Sequence, residues 1–202
     1  MGAYDTNLVR ICGTVIEGAE FDHRLFGETF YVIKVMVPRL SGTTDVLPVT
    51  LPGRACTELP EEGDKIHIMG QLRSYNKHTD NGSRLIISVF ARTIEPADDE
   101  CEAYNEITLS GYLCKPVMLR TTPFLREIGD ILLAVNRSYN KSDYLPCIAW
   151  GRNARFAADL MVGSHMQLCG RLQSREYQKC LEDGTMVLRT AYEVSCSSLE
   201  LL

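Results

Sequence analysis

The chain has 202 residues, of which 45% are hydrophobic and 23% are charged. This balance is typical of a globular protein and excludes a largely disordered chain. The sequence has no apolar run of the roughly 20 residues that cross a bilayer, and no basic segment followed by an apolar one at its start. We therefore expect a soluble, cytoplasmic protein without membrane contact, whose eight cysteines are reduced thiols.

The net charge of −5 hides an asymmetry between the two halves of the chain. Residues 1–103 hold 10 Lys and Arg against 16 Asp and Glu, a net charge of −6. Residues 104–202 hold 11 against 10, a net charge of +1. A nucleic-acid-binding protein usually has a basic surface, and this distribution leaves room for one on the second half alone.

The chain contains an internal repeat. A shift of 98 residues aligns identical residues, among them Asn7 with Asn105, Gly13 with Gly111, Arg39 with Arg137, and Asp45 with Asp143. After a slip of two residues, Gly70 aligns with Gly170 and Ser74 with Ser174. These matches in type and order indicate two copies of one fold. We place the first domain at residues 1–96, an acidic linker at 97–103 and the second domain at 104–202.

Each copy shows the pattern of half-buried antiparallel strands. In the first copy, Ile66, Ile68 and Leu72 alternate with mostly polar residues. In the second copy, Met166, Leu168 and Leu172 do the same. The dipeptides Asn81-Gly82 and Asp183-Gly184 predict hairpin turns, because glycine tolerates the positive φ that such turns require.

Only residues 54–59 and 152–160 have the pattern of a short helix, and each segment follows the third strand of its copy. Five strands with one helix between the third and the fourth is the order of the OB-fold, a five-stranded Greek-key barrel. The sequence therefore predicts an all-β protein with two tandem OB-fold barrels, each with one short helix.

Three segments of the second copy have the motifs of a known family: LAVNR at 133–137, DYLPCIAWG at 143–151 and GRLQSREY at 170–177. With the strands at 105–111 and 190–194, they resemble the bacterial single-stranded DNA-binding protein (SSB) family. The first copy resembles it more loosely. The resemblance implies sequence-independent binding and protection of single-stranded DNA in replication, recombination and repair, with four OB barrels per particle. Two barrels on one chain then imply a homodimer at the nucleoid.

The sequence departs from this family in three places. Typical members end in a long flexible tail whose acidic, apolar tip recruits partner proteins, whereas this sequence ends at Leu202, directly after the last predicted strand. Replication or repair proteins stay candidate partners, but we do not assign their recruitment to such a tail. The first copy also carries Pro52 where the second carries Trp150, and it is acidic. We expect it to contribute more to assembly than to binding.

Binding of single strands without sequence preference requires cations along the phosphates and aromatic rings for stacking, worth about 1–3 kcal/mol per base. The candidate residues of the second copy are Arg137, Tyr139, Lys141, Trp150, Arg152, Arg171, Arg175, Tyr177 and Lys179. The weaker candidates of the first copy are Arg39, Arg54, Arg73, Tyr75 and Lys77.

The alternation along the fourth strand places Arg171, Arg175 and Tyr177 opposite the apolar face, but it leaves the side of Trp150 open. These residue types also have structural roles. A tyrosine at a strand end packs, a tryptophan fills a core, and an arginine covers a solvated strand face.

No motif supports an enzyme. The histidines His23, His67, His78 and His165 lie far apart, and none has metal-ligand spacing with a cysteine or carboxylate pair. Nucleophile-elbow, P-loop and dinucleotide-binding motifs are absent. The cysteines in strand-like segments, Cys12, Cys114, Cys147 and Cys169, are interpreted as small buried hydrophobic residues. We expect no enzymatic activity, no cofactor and no metal.

Two alternatives stay open at this point. The barrels could form a protein-interaction or primosome-assembly scaffold with weak nucleic-acid binding, in which the acidic first half faces a basic partner. The ligand could also be RNA, because OB grooves bind both nucleic acids and the choice depends on contacts to the 2′-OH. The acidic run Asp98–Glu102 is interpreted as a solvated linker, with mimicry of nucleic-acid phosphates as the alternative.

Overall fold

The structure, a computed structural model, describes residues 6–79, 82–180 and 184–202. The two predicted turn dipeptides fall at the gaps, and Asn81 and Asp183 lie outside the described residues. The strands next to each gap are antiparallel neighbours, with Thr79 opposite Gly82 and Cys180 opposite Met186.

The described elements form two groups that follow the sequence repeat. The first group contains β1 (Asn7–Leu25), β2 (Glu28–Pro38), β3 (Thr44–Pro52), β4 (Lys65–Thr79) and β5 (Gly82–Pro96). The second contains β6 (Tyr104–Leu113), β7 (Met118–Thr121), β8 (Glu127–Arg137), β9 (Lys141–Trp150), α1 (Arg152–Ala158), β10 (His165–Cys180) and β11 (Met186–Leu201). The single long strand β1 thus corresponds to β6 and β7 together.

Both groups close into barrels. In the first, β1 pairs with both β2 and β4, and β3 pairs with β5 in parallel, which gives the ring β1-β2-β3-β5-β4. In the second, the ring is β6-β8-β9-β11-β10. The alternating apolar residues fill the interior, as shown by Ile11, Leu47 and Leu72 in the first barrel and Leu109, Leu145 and Leu172 in the second. The prediction of two tandem OB-fold barrels is confirmed.

The predicted helix of the first copy is wrong. The second copy has α1 where a helix was expected, but residues 54–59 contain only the end of a 3-10 turn at Gly53–Ala55. Cys56 is already extended, with φ −145° and ψ 157°. The β-branched Thr57 disfavours a helix, and Pro60 pushes the preceding residue out of the helical region. In α1, by contrast, Ala154 and Ala157 are buried and have high helix propensity.

Gly70 and Gly170, which align in the repeat, each mark a bulge in their barrel. The register of β4 and β5 shifts between Met69 and Gly70, and that of β10 and β11 shifts between Cys169 and Gly170. A Cβ at Gly70 would lie 2.3 Å from the carbonyl oxygen of Phe90, and one at Gly170 would lie 2.2 Å from that of Ser195. Only glycine fits such a close approach of two backbones.

The two barrels are joined through their first strands. β1 and β6 pair antiparallel from Asn7 opposite Leu109 to Cys12 opposite Tyr104, so that one sheet of eleven strands runs through the described molecule. The predicted linker, residues 97–103, connects β5 to β6.

Two buried carboxylates, which we call the junction carboxylates, fasten each barrel to the other. Asp45 of the first barrel accepts hydrogen bonds from the backbone N–H of Ser174 at 2.8 Å and from Arg39 Nε at 2.7 Å. Asp143 of the second accepts them from the backbone N–H of Ser74 at 2.8 Å and from Arg73 Nη1 at 3.1 Å. Both carboxylates are almost completely buried.

The serines complete the exchange. Ser74 Oγ accepts the N–H of Tyr144 at 2.8 Å, and Ser174 Oγ accepts that of Val46 at 3.2 Å. The carboxylates, serines and backbone donors of one network are the repeat equivalents of those in the other, so the junction has an approximate twofold symmetry. The exception is Arg73, whose equivalent is Gln173. Asp45 and Asp143 are buried and paired with backbone N–H groups and arginines, which fixes one relative orientation of the barrels.

We expect Asp143→Ala to destabilise the protein strongly. The change leaves Arg73 and Arg137, whose guanidinium lies 3.6 Å from Asp143, partly buried without a carboxylate. Removing one partner of a buried ion pair costs about 3–5 kcal/mol. Urea unfolding followed by circular dichroism measures the loss. Asp130, which pairs with Arg120 at a partly exposed site, provides the control, because Asp130→Ala should cost at most about 1 kcal/mol. Equal losses in the two variants would contradict the proposed importance of the junction.

Candidate nucleic-acid interface

The outer face of the second barrel is defined by the register of three strands. Ser195 on β11 lies opposite Ile148 on β9 and opposite Arg171 on β10. Residues directly opposite one another in a sheet lie on the same face, and so do residues two positions apart on one strand. Trp150, two residues after Ile148, and Arg175 therefore share the face of Arg171.

Trp150 is anchored to this face. Its indole N–H donates a hydrogen bond to Ser195 Oγ at 3.0 Å, and 37% of the residue is exposed. The indole therefore lies outside the core, beside Ser195, which is opposite Arg171 in the sheet. Sequence alternation alone left this side open, because Cys147, Ile148 and Ala149 are all buried. The pairing of β9 with β11 settles it.

Arginine and tyrosine side chains continue the face along β10. The guanidinium of Arg175 lies 5.8 Å from the ring centre of Tyr177, and Arg175 Nε lies 3.9 Å from a Glu193 carboxylate oxygen. Arg171 Nε is buried and has no hydrogen-bond partner among the described residues. Arg171 forms no ion pair with a carboxylate among the described residues, and its guanidinium carries further N–H donors that can bind an anionic group.

The β8–β9 hairpin places a second aromatic residue in solvent. Tyr139 is 93% exposed and, like Asn140, has a positive φ, of 64° and 52° respectively. Lys141 follows directly and is exposed, and Arg152 is exposed on the first turn of α1. Within the described ranges, neither of these cations forms an ion pair with a carboxylate.

A groove of about 470 Å³ lies between two hairpins, β4–β5 of the first barrel and β10–β11 of the second, which we call the hairpin arms. It brings together Tyr75 of β4 with Tyr177 and Lys179 of β10, which the sequence predicted separately. Arg84 and Arg189 also line the groove and were missed. Their cross-strand partners are Lys77 and Tyr177, so the register of each hairpin was the signal that could have identified them.

Three predicted DNA-binding arginines lie instead at the junction between the barrels. Arg39 binds Asp45 and also donates to the carbonyl of Ser174 at 3.2 Å. Arg73 and Arg137 both face Asp143. In the weaker set, Arg54 forms an ion pair with Glu28, whereas Lys77 is exposed on the β4 arm. The arginines at the junction have structural partners, so their guanidinium groups are not available on the outer face.

The first barrel lacks the tryptophan and the first arginine of the outer face. Pro52, Phe90 and Gln71 stand at the positions of Trp150, Ser195 and Arg171, as the matching strand registers show. Conversely, the second barrel has an exposed ring that the sequence analysis missed. Tyr144 is 50% exposed and lies an even number of residues before Trp150 on β9, so the two side chains share a face. That even spacing is the feature of the sequence that could have identified Tyr144.

The fold also assembles a group of potential metal ligands. Cys12 on β1, His67 on β4 and Cys101 in the linker have donor atoms that all lie within 4.8 Å of one another. Burial, with a contribution from Cys101, raises the pKa of the Cys12 thiol to about 11. No spacing along the sequence indicated this group, because strand pairing joins residues that lie far apart in the chain.

None of the helices in the described part of the chain is long and apolar enough to span a membrane.

Comparison with known proteins shows what the second half of the chain is similar to. The model of the single-strand binding protein family matches residues 104–202. Single-stranded DNA-binding protein 2 of Listeria innocua is 34% identical over 105 residues, covering 48% of this chain and 64% of that protein. Single-stranded DNA-binding protein B of Bacillus subtilis is 33% identical over 94 residues, covering 43% of this chain and 81% of that protein. The match thus spans less than two thirds of the Listeria protein.

A solved structure extends the likeness of fold to both barrels. The wild-type single-stranded DNA binding protein from Thermus aquaticus aligns with a TM-score of 0.78 at 24% sequence identity. The alignment covers 97% of this chain and 92% of that chain. The tandem arrangement of two barrels is therefore found in another protein with the same fold.

We expect acrylamide to quench the emission of native protein, because Trp150 is the only tryptophan and lies partly exposed on the outer face. The quenching constant should fall between that of the protein unfolded in guanidinium and that of a fully buried tryptophan. Emission that resists acrylamide until the protein unfolds would place the indole in the core and contradict the geometry.

Proposed function

Because the chain belongs to the single-strand binding protein family, we propose that it coats single-stranded DNA without sequence preference. The relatives are named as single-stranded DNA-binding proteins. This family supports a binding protein rather than an enzyme.

One observation carries the proposal: the shared outer face of Trp150, Arg171, Arg175 and Tyr177. Rings and guanidinium groups side by side on one sheet face are what sequence-tolerant binding requires. Bases stack on the rings because every base has a π-face, and the cations neutralise the phosphates between them.

The path of the strand follows from the exposed groups. From the outer face, a single strand continues toward Tyr139 and Lys141 at the β8–β9 hairpin, and toward Lys179 and the groove between the arms. The first barrel contributes Tyr75 and Lys77 from its own arm. Its acidic surface and the Pro52 position favour a larger share of binding for the second barrel.

We further propose that two chains assemble into a particle of four barrels, which protects exposed strands in DNA replication, recombination and repair at the nucleoid. Light scattering coupled to size-exclusion chromatography is expected to give twice the chain mass of 22.7 kDa. A mass that stays at one chain over the accessible concentration range would contradict the homodimer, although it would leave DNA binding by the outer face intact.

The binding test uses a fluorescently labelled oligo(dT), whose anisotropy reports binding even in variants without tryptophan. Loss of one stacking contact costs about 1–3 kcal/mol, so Trp150→Ala should weaken binding about five- to 150-fold. Arg171→Ala should weaken it as well and should lower the slope of log affinity against log salt by about 0.7, the value for one phosphate contact on a single strand.

Lys65→Ala is the charge-matched control. Lys65 Nζ donates to the backbone carbonyl of Asp99 in the linker, away from the outer face, so its loss should leave the salt slope unchanged. No binding by the native protein at low salt would refute the proposal. Binding that Trp150→Ala leaves unchanged would favour the scaffold alternative, and tighter binding of oligo(U) than of oligo(dT) would identify RNA as the ligand.

A further inference from the structure

A group of two thiols and one imidazole lies where the linker crosses the first barrel. Cys12 Sγ lies 3.6 Å from Cys101 Sγ, and Cys101 Sγ lies 3.9 Å from His67 Nε2. Cys12 and His67 are directly opposite each other on β1 and β4. Neither Cys12 nor Cys101 forms a disulfide within the described residues.

These distances fit tetrahedral coordination of a zinc ion. With Zn–S bonds of about 2.3 Å and Zn–N bonds of about 2.0 Å, two sulfur ligands lie about 3.8 Å apart, and a sulfur and a nitrogen about 3.5 Å apart. The Cys12–Cys101 and Cys101–His67 separations differ from these values by a few tenths of an ångström, and all three donor atoms lie within 4.8 Å of one another. Side-chain rotation can accommodate these differences.

The imidazole is oriented for a metal. His67 Nδ1 lies 3.1 Å from the hydroxyl of Tyr104, whose ring stacks against the imidazole at 5.9 Å between ring centres. Nε2 is thereby left to face Cys101. A hydrogen bond at the second ring nitrogen is the usual support of a metal-bound histidine, because it fixes the tautomer and the ring orientation.

The group is not part of the barrel core. Cys12 is fully buried, but it follows the core residue Ile11 on β1, and successive side chains of a strand point to opposite faces. On that outer side, the Cys12 side chain contacts the linker through Cys101. In the second barrel the equivalent opposed pair is Ser110 and Gln167, neither of which suits a thiolate site. The fold therefore does not require these residues.

We propose that Cys12, His67 and Cys101 bind one zinc ion, with a water molecule as the fourth ligand. Thiolate and imidazole ligands select Zn²⁺ or Cu⁺ over the oxygen-seeking Mg²⁺ and Ca²⁺. Binding forms two Zn–S bonds and one Zn–N bond and releases the thiol protons to solvent, with no change of oxidation state. The ion fastens the linker to β1 and β4, close to the pairing of β1 with β6.

The experiment loads reduced, chelator-treated protein with Zn²⁺, removes unbound metal and measures the bound metal by mass spectrometry of the elements. We expect one zinc ion per chain in the native protein and none above background in Cys12→Ser, Cys101→Ser or His67→Gln. Cys180→Ser and His78→Gln are the matched controls, since both residues are exposed on the hairpin arms, and they should retain the full stoichiometry.

Cobalt provides a second measurement on the same proteins. Co²⁺ bound by two thiolates gives a thiolate-to-metal charge-transfer band in the near ultraviolet, which should disappear in Cys101→Ser. Because Cys101 lies in the linker rather than in a strand, this variant is expected to fold and to bind oligo(dT) normally. Tyr104→Phe removes the partner of His67 and should lower metal affinity about ten- to 100-fold.

Failure of the native protein to bind zinc above the level of the Cys12→Ser variant would overturn the proposal, as would equal loss of zinc in the two control variants. A preference for Cu⁺ over Zn²⁺ in direct competition would overturn the assignment of the metal. A disulfide between Cys12 and Cys101 that persists under reducing conditions and prevents zinc binding would also refute the zinc site.

Discussion

The structure depends on two carboxylates that are buried where the barrels meet. Asp45 and Asp143 each bind the backbone and an arginine, and through Ser174 and Ser74 each reaches across to the opposite barrel. A buried carboxylate is stable only when its hydrogen bonds are complete, so this arrangement permits one orientation of the barrels. That orientation sets the two hairpin arms side by side, and the groove between Tyr75 and Tyr177 is a consequence of it.

The arginines of the chain serve two purposes that composition does not separate. Arg39, Arg73 and Arg137 neutralise the junction carboxylates, whereas Arg171 and Arg175 lie on the outer face. The same residue type thus holds the barrels together in one place and, as we propose, holds phosphates in another. A chain with a net charge of −5 can bind a polyanion because its cations on the outer face are concentrated, while much of its acidic charge lies on the first barrel and the linker.

The two copies show how one fold takes on different chemistry. The bulge glycines, the junction carboxylates and the serines that bind them are the same in both, since backbone contact and buried charge leave no alternative. Positions on the solvent side differ. Trp150 corresponds to Pro52, and the opposed pair Cys12 and His67 corresponds to Ser110 and Gln167. The second barrel thereby carries the tryptophan of the outer face, and the first carries the group of thiol and imidazole ligands.

The sequence alone determined the duplicated barrel and the alternation that places Arg171, Arg175 and Tyr177 away from the core, because strand period and turn chemistry are local properties of the chain. The predicted helix over 54–59 is absent from the structure, because Thr57 and Pro60 disfavour a helix there in spite of the similarity of this segment to 152–160. Only the tertiary structure decided the side of Trp150, the role of Arg39, Arg73 and Arg137 at the junction, and the meeting of Cys12, His67 and Cys101. Each of these depends on which strands pair and in what register, and residues about 30 to 90 positions apart become neighbours only when the barrels close and dock.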